Sequence, residues 1–300
     1  MSLTAVILAA GKGTRMKSRL PKVLHHVHDR PMLMHVLDAV RGAGADRVIV
    51  VAGHGMEQVA NILGDDVEIV VQKEQLGTAH ALLQTKSLLR GVDGEVIVLC
   101  GDTPLIRPVT LTRLVEKHRE NKASATLATV ILDDPAGYGR VLRDTDGSVS
   151  GVVEHRDADL KVRQVQEVNA GLYCFDGTGL FAALEQIGSD NMQNEYYLPD
   201  IIGIYNRSGG KVIAQTVEDW EEMWGINDRK QLAAAAAVLK NRILDSLMLN
   251  GVTIVDPPST FIEGGVTIGQ DTVIEPFTLI KGESKIGCEC CIGPCTRLIE

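Results

Sequence analysis

The sequence runs to 300 residues, enough chain for roughly two domains and a sizeable core. Its apolar share is 45%, its charged share 23% and its aromatic share 4%, a globular profile with few rings for stacking nucleobases. The formal net charge of −9 argues against a broad nucleic-acid or anionic-membrane surface, since both need a basic face.

Residues 4–10 (TAVILAA) read as a strand, followed at once by a turn, GKGTRM. Lys12, Arg15, Lys17, Arg19 and Lys22 make a local basic cluster there, which leaves room for a small anionic ligand. Further β-branched runs cover 46–53, 67–72, 95–102, 124–132 and 168–175, and helical patterns cover 32–44, 55–64, 79–91 and 109–120. Apolar strands alternating with helices predict a Rossmann-like α/β domain over 1–227. Its mostly parallel sheet would be covered on both faces, with the ligand beyond the carboxyl ends of the strands. No apolar stretch approaches the ~18 residues of a spanning helix, and the N-terminus lacks a signal-peptide layout. A cytoplasmic protein with no membrane and no nucleic-acid partner is expected.

Leu232, Ala236, Leu239, Ile243 and Leu247 fall at helical spacing with Gly251 as a stop, predicting one long connecting helix over 228–251. Beyond it the period changes. Ile262, Ile268, Ile274, Ile280, Ile286, Ile292 and Leu298 recur every six residues, and Val266, Thr272, Thr278, Ser284, Cys290 and Thr296 stand two positions before the last six. Neither an α-helix nor an alternating strand yields that period. It predicts the start of a left-handed parallel β-helix over 252–300, each hexapeptide forming one of three faces with its aliphatic residue inward. The repeat stops at Glu300 without a polar cap, so a longer parent protein or a covering partner is expected. Cys100 and Cys174 lie in apolar strands, and Cys288, Cys290, Cys291 and Cys295 lack the paired C-x2–4-C spacing of a zinc site.

The opening loop fails both well-known phosphate-loop patterns. Val6 stands where a Walker loop needs its first glycine, and Met16 stands where a dinucleotide fingerprint needs its third. What remains is a strand ending in small residues and two glycines, whose free N–H groups suit phosphate, with Arg15 and Lys22 downstream. A tight turn with solvated cations is the alternative. Asp102 ends an apolar strand, where a carboxylate either faces the ligand crevice or shapes the turn before Pro104. Asn227 either offers an amide oxygen or caps the long helix.

Several longer stretches then carry a resemblance: LAAGKGTRMKSRLPKVLH at 8–25, GHG at 53–55, QKEQLGTAHA at 72–81, LCGDTPLI at 99–106 and DDPAGYGRV at 133–141. It continues with VVEHRDAD at 152–159, VQEVNAGLY at 165–173, NEYYLPDII at 194–202 and WGINDRKQL at 224–232. Over essentially its whole length the sequence resembles the sugar-nucleotide pyrophosphorylases. Motif order and hexapeptide tail are similar to those of bacterial N-acetylglucosamine-1-phosphate uridylyltransferases.

The resemblance implies a Mg²⁺-dependent enzyme that makes UDP-N-acetylglucosamine and pyrophosphate from UTP and N-acetylglucosamine 1-phosphate, for cell-wall and lipopolysaccharide precursors. It assigns Leu8, Ala9, Ala10, Gly11, Gln72, Gly77 and Thr78 to uridine, with Gly101 and Asp102 as further substrate contacts. Gly139, Glu154 and Asn169 would take the N-acetylated sugar, Asp102 and Asn227 the metal, and Arg15 and Lys22 the triphosphate as catalytic groups. One or two protein oxygens suffice for Mg²⁺ that keeps water and substrate phosphates as its other ligands. The attacking phosphate is already anionic, so positioning and charge neutralisation replace a general base. Acetyl transfer, the family's second activity, would belong to a complete β-helix and is not expected of these residues. Trimeric β-helix relatives imply a homotrimer. Cys100 departs from the aromatic of many relatives, so packing beside Asp102 would differ. Two rivals stay open: a nucleotidyltransferase for glucose 1-phosphate with UTP or dTTP, and a silent nucleotide-sugar sensor. Arg15, Lys22 and Asp102 count against the second.

Overall fold

The computed structural model describes residues 2–299. In chain order the elements are β1 (Ser2–Ala9), β2 (His26–Val27), β3 (Arg30–Pro31), α1 (Met32–Gly42), β4 (Arg47–Ala52), α2 (Met56–Ala60), β5 (Val67–Val71), α3 (Thr78–Leu83) and β6 (Gly94–Cys100). They continue with α4 (Pro108–Asn121), β7 (Ala125–Ile131), β8 (Arg140–Arg143), β9 (Val149–Val153), β10 (Glu167–Asp176), α5 (Gly177–Leu184), α6 (Ile201–Arg207), β11 (Val212–Thr216) and α7 (Arg229–Leu249). Eight two-residue strands close the described chain. The elements sort into two units: residues up to His25 with Met32–Asn227, and His26–Pro31 with the chain from Asp228 onward.

The first unit is a mostly parallel α/β domain. Its sheet runs in the order β11-β7-β10-β6-β1-β4-β5, with β8 and β9 attached beside β10. Along β1 the side chains alternate between two cores, as strand geometry requires. Ala5 and Ile7 pack with Leu33, Val36 and Leu37 of α1 and Leu111 and Leu114 of α4. Val6 packs with Leu82 of α3, Leu180 of α5 and Ile201 of α6. From β1 the chain builds β4 and β5 on one side and returns to lay β6 on the other, all parallel. That reversal between β1 and β6 is a topological switch point, where open α/β sheets take their ligands.

Three features differ from the sequence reading. β10 runs antiparallel between β6 and β7, so the sheet is mixed, and its pairing with β7 shifts register between Asn169 and Tyr173. β8, β9 and β11 are additional strands, and β8 and β9 add an antiparallel flap. Finally, α3 stops at Leu83, where the buried Thr85 hydroxyl bonds the Leu82 carbonyl at 2.7 Å and competes with the helical ladder.

In the second unit, β2 and β3 form a hairpin, and α7 is followed by β12 (Thr253–Ile254), β13 (Phe261–Ile262), β14 (Thr267–Ile268), β15 (Val273–Ile274), β16 (Leu279–Ile280), β17 (Lys285–Ile286), β18 (Cys291–Ile292) and β19 (Arg297–Leu298). All pairings among these eight are parallel, in three ladders: β12-β15-β18, β13-β16-β19 and β14-β17. Each of the seven recurring aliphatic residues thus ends a strand. Ile262, Ile274 and Ile280 are fully buried, joined by Leu244 of α7 and by Ile254. Ile254 escaped the six-residue period because Pro257–Ser259 form a separate turn before the next strand. The pattern is compatible with the start of a β-helix.

Candidate active site

The glycine loop after β1 is a short 3-10 turn, Thr14–Met16, rather than the start of an α-helix. Gly13 before it has φ 58°, and a Cβ there would lie 2.6 Å from the Lys22 Cβ. Glycine therefore lets the chain of Lys22 approach the loop that carries Arg15. Met16, buried on the same turn, anchors it. Lys22 opens a second 3-10 turn, Lys22–Leu24, whose Val23 and Leu24 are buried.

These two cations meet an amide and a carboxylate. The Lys22 ammonium donates to Asp102 Oδ2 and, at 3.1 Å, to Asn227 Oδ1. Arg15 Nη2 donates to the same Asn227 oxygen at 2.9 Å. Asn227 is oriented by its own Nδ2, which donates to the Gly225 carbonyl, and its segment is laid along Asp102 by the Ile226 N–H to Asp102 carbonyl bond at 2.9 Å. Asn227 does not cap α7: Asp228 does, accepting from the Gln231 N–H at 2.8 Å. Asp102 Oδ2 and Asn227 Oδ1 are hard oxygen donors already turned toward one ammonium. That chemistry fits a small divalent cation, with phosphate and water completing its shell. No group of three or more His, Cys, Asp or Glu fit for a metal occurs among the described residues.

A cavity of about 430 Å³ opens beside this cluster, at the switch point. Leu8, Ala9, Ala10 and Gly11 line one wall, Cys100 and Asp102 another, and Gln72, Gly77 and Thr78 a third. Gly101 ties two walls together, its N–H donating to the Leu8 carbonyl at 2.9 Å. Gln72 is buried, and its Nε2 donates to the Gly77 carbonyl at 3.1 Å and lies 3.0 Å from His80 Nδ1. The Thr78 hydroxyl accepts from the Leu198 N–H at 3.0 Å. Lys12, Gln75 and Glu195 also line the cavity, and the sequence reading did not assign them. Burial and the neighbouring Asp102 charge push the Cys100 thiol up to about 12, which leaves it an unreactive neutral group.

Gly139, Glu154 and Asn169 form a second group, on β8, β9 and β10 or next to them. The Asn169 N–H donates to the Gly139 carbonyl at 2.8 Å, and Glu154 Oε1 stands 3.1 Å from where a Gly139 Cβ would be. Tyr173 orients Asn169 through a 2.7 Å bond from Asn169 Nδ2 to the phenol oxygen. Burial raises the Glu154 carboxyl above the ordinary range, with Asp200, Asp157 and Glu195 adding to it. Glu195 thus belongs to both the cavity wall and the surroundings of Glu154. Tyr138, next to Gly139, is raised by burial and by Asp102.

The family described as the MobA-like NTP transferase domain matches residues 5–190, more than half of the chain. The chain belongs to that family. It has many relatives among curated proteins. It is 53% identical over 300 residues to the Bifunctional protein GlmU of Pelotomaculum thermopropionicum, covering 100% of this chain and 66% of that protein. To proteins of the same name from Heliobacterium modesticaldum and Listeria monocytogenes it is 50% identical, covering 99% of this chain and 65% of theirs. The chain thus spans just under two thirds of the length of these relatives. In fold it is similar to a crystal structure of UDP-glucose pyrophosphorylase complexed with UDP-glucose, with TM-score 0.66 and 16% identity, over 81% of this chain and 100% of that one. No helix among its described residues is long and apolar enough to cross a membrane.

Proposed function

We propose that the chain transfers a uridylyl group from UTP to N-acetylglucosamine 1-phosphate, giving UDP-N-acetylglucosamine and pyrophosphate. The observation that carries this reading is the convergence of Arg15 and Lys22 on Asn227, with Asp102 bonded to the same Lys22 ammonium, beside the switch-point cavity. Backbone groups of Leu8–Gly11, with Gln72, Gly77 and Thr78, hold the uridine. A glutamine amide plus backbone groups matches uracil's alternating acceptor and donor edge. Gly139, Glu154 and Asn169 hold the acylated sugar, the glycine making room for the acetamido group. Arg15 and Lys22 hold the triphosphate, which draws the Lys22 ammonium away from Asp102.

A phosphate oxygen of the sugar phosphate attacks the α-phosphorus in line, a new P–O bond forms, and the bond to pyrophosphate breaks. Both partners are anionic, so alignment and cationic side chains do the work of catalysis. Asp102 and Asn227 would hold Mg²⁺, which would supply charge neutralisation when bound.

The same reading makes 1–227 the nucleotidyltransferase domain, 228–251 a connecting arm and 252–300 the opening of a left-handed β-helix through which a homotrimer forms. It places the protein in the cytoplasm. Pyrophosphate release with UTP, Mg²⁺ and a panel of sugar 1-phosphates tests the activity, with dTTP as an alternative nucleotide. N-Acetylglucosamine 1-phosphate with UTP should be the preferred pair, and chelation should abolish turnover. Asp102→Asn should lower kcat at least ~100-fold. Release only with glucose 1-phosphate, or undiminished release by Asp102→Asn, would contradict the assignment.

A further inference from the structure

Arg140 is the largest fully buried side chain among the described residues, 1% exposed; none of their carboxylates is in ion-pair contact with it, and of the nearby charges Asp134 favours its cationic form while Arg163 opposes it. Its Nη1 donates to the Tyr138 carbonyl, its Nη2 lies 3.4 Å from both His155 Nδ1 and the Arg163 carbonyl, and its Nε has no partner. A guanidinium cannot shed its proton to escape burial, and a buried cation without an anion in direct contact is costly. An apolar side chain of similar volume would avoid that desolvation cost. Fold stability therefore does not account for an arginine here.

The contacts suggest what does. Arg140 bonds the residue before Gly139 and faces the residue after Glu154. In the sheet it pairs with Val153 and with Val168, the residues before Glu154 and before Asn169. One side chain and its backbone thus sit among the chain neighbours of all three groups assigned to the sugar. The third contact, the Arg163 carbonyl, belongs to the 3-10 turn Val162–Gln164 between β9 and β10. Because a guanidinium only donates, His155 Nδ1 accepts, which places the ring proton on Nε2.

We infer that Arg140 is a positioning residue of the sugar subsite, joining the Tyr138, His155 and Arg163 segments so that Glu154 stays opposed to Gly139. It touches no substrate. It sets the gap that an acylamino sugar 1-phosphate must fill, so it acts on that substrate's affinity and selectivity and leaves the uridine side alone. The inference rests on the activity proposed above.

The test is steady-state kinetics of Arg140→Lys, Arg140→Met and His155→Ala, varying the two substrates separately, with melting temperatures to confirm folding. Lysine keeps the charge and loses the fork; methionine removes both. Arg140→Lys should raise the KM for N-acetylglucosamine 1-phosphate about tenfold and leave the KM for UTP within about twofold. Preference over glucose 1-phosphate should fall in parallel. His155→Ala, which spares the buried cation, should shift the same KM in the same direction, and it carries the test if neither Arg140 variant folds. Unchanged sugar KM in a folded variant, or equal rises in both KM values, overturns the positioning role. A wild-type chain inactive on UTP and N-acetylglucosamine 1-phosphate removes the functional reading, and this inference with it.

Discussion

At the scale of single residues, the site depends on a few tight approaches. Gly77 has φ 112°, and a Cβ there would lie 2.4 Å from the Tyr196 carbonyl oxygen and 2.7 Å from its nitrogen. Both are backbone atoms, held by the Ala79 N–H to Tyr196 carbonyl and Tyr196 N–H to Leu76 carbonyl bonds at 2.9 and 2.7 Å. Gly77→Ala should therefore cost at least ~2 kcal/mol in denaturant unfolding, and it should weaken UTP binding by moving Thr78 and Gln72. Glu154 gives a pH signature. Its raised carboxyl means that the folded state resists ionising it, because of burial and then Asp200, Asp157 and Glu195. The penalty is absent below the ordinary carboxylate range and grows as pH rises through the folded value, so this group makes the fold less stable toward neutrality. Glu154→Gln should raise the melting temperature at pH 7.5, leave it little changed at pH 4, and weaken sugar-phosphate binding.

At the scale of elements, the start of α7 separates two roles that the sequence left joined. Asp228→Ala removes the cap and should cost ~1 kcal/mol of stability with little change in kcat. Asn227→Ala should do the reverse, lowering kcat while the melting temperature holds. In the ladders, Ile274→Ala should cost ~2–5 kcal/mol in equilibrium unfolding, because its side chain is fully enclosed, and Ile292→Ala at a partly exposed position should cost less. The aliphatic repeat was legible because every ladder strand after β12 repeats one pattern, and β1, β4 and β6 because both faces of a parallel strand are apolar. β8, β9 and β11 were not. They are short, partly exposed and broken by Arg, Ser, Gly and Gln, so no period stands out. The antiparallel sense of β10 was hidden as well, since an apolar run of that length does not record direction. Arg15, Lys22 and Asp102 stood out as charges beside glycine turns or strand ends, and Lys12 as part of the same basic cluster, whereas Gln75 and Glu195 are polar loop residues that only the folded cavity singles out.

At the scale of the whole molecule, the chain passes between its two units three times: after His25, after Pro31 and after Asn227. The hairpin of β2 and β3 belongs with α7 and the ladders although its sequence lies within the first unit. A chain ended at Asn227 therefore lacks the hairpin's partners. The amides of residues 26–31 should then exchange with solvent faster than in the full chain, while those of β1 and β6 stay protected, as hydrogen-exchange mass spectrometry would read. Equal protection of the hairpin in both chains would show that it folds with the first unit instead.

The turn at Pro257–Ser259 makes the repeat a ruler with a marked place for lengthening. Ile254 still meets Ile274 across that detour, whereas every later pair is spaced by whole hexapeptides. Growth at a corner is absorbed locally, but one residue added inside a strand displaces every inward side chain that follows. A peptide tag grafted between Pro258 and Ser259 should leave unfolding cooperative, and the same tag between Val273 and Ile274 should not. Insertions in this part of the chain would accordingly be tolerated at its corners, which makes them the natural points for adding sequence without rewriting the core.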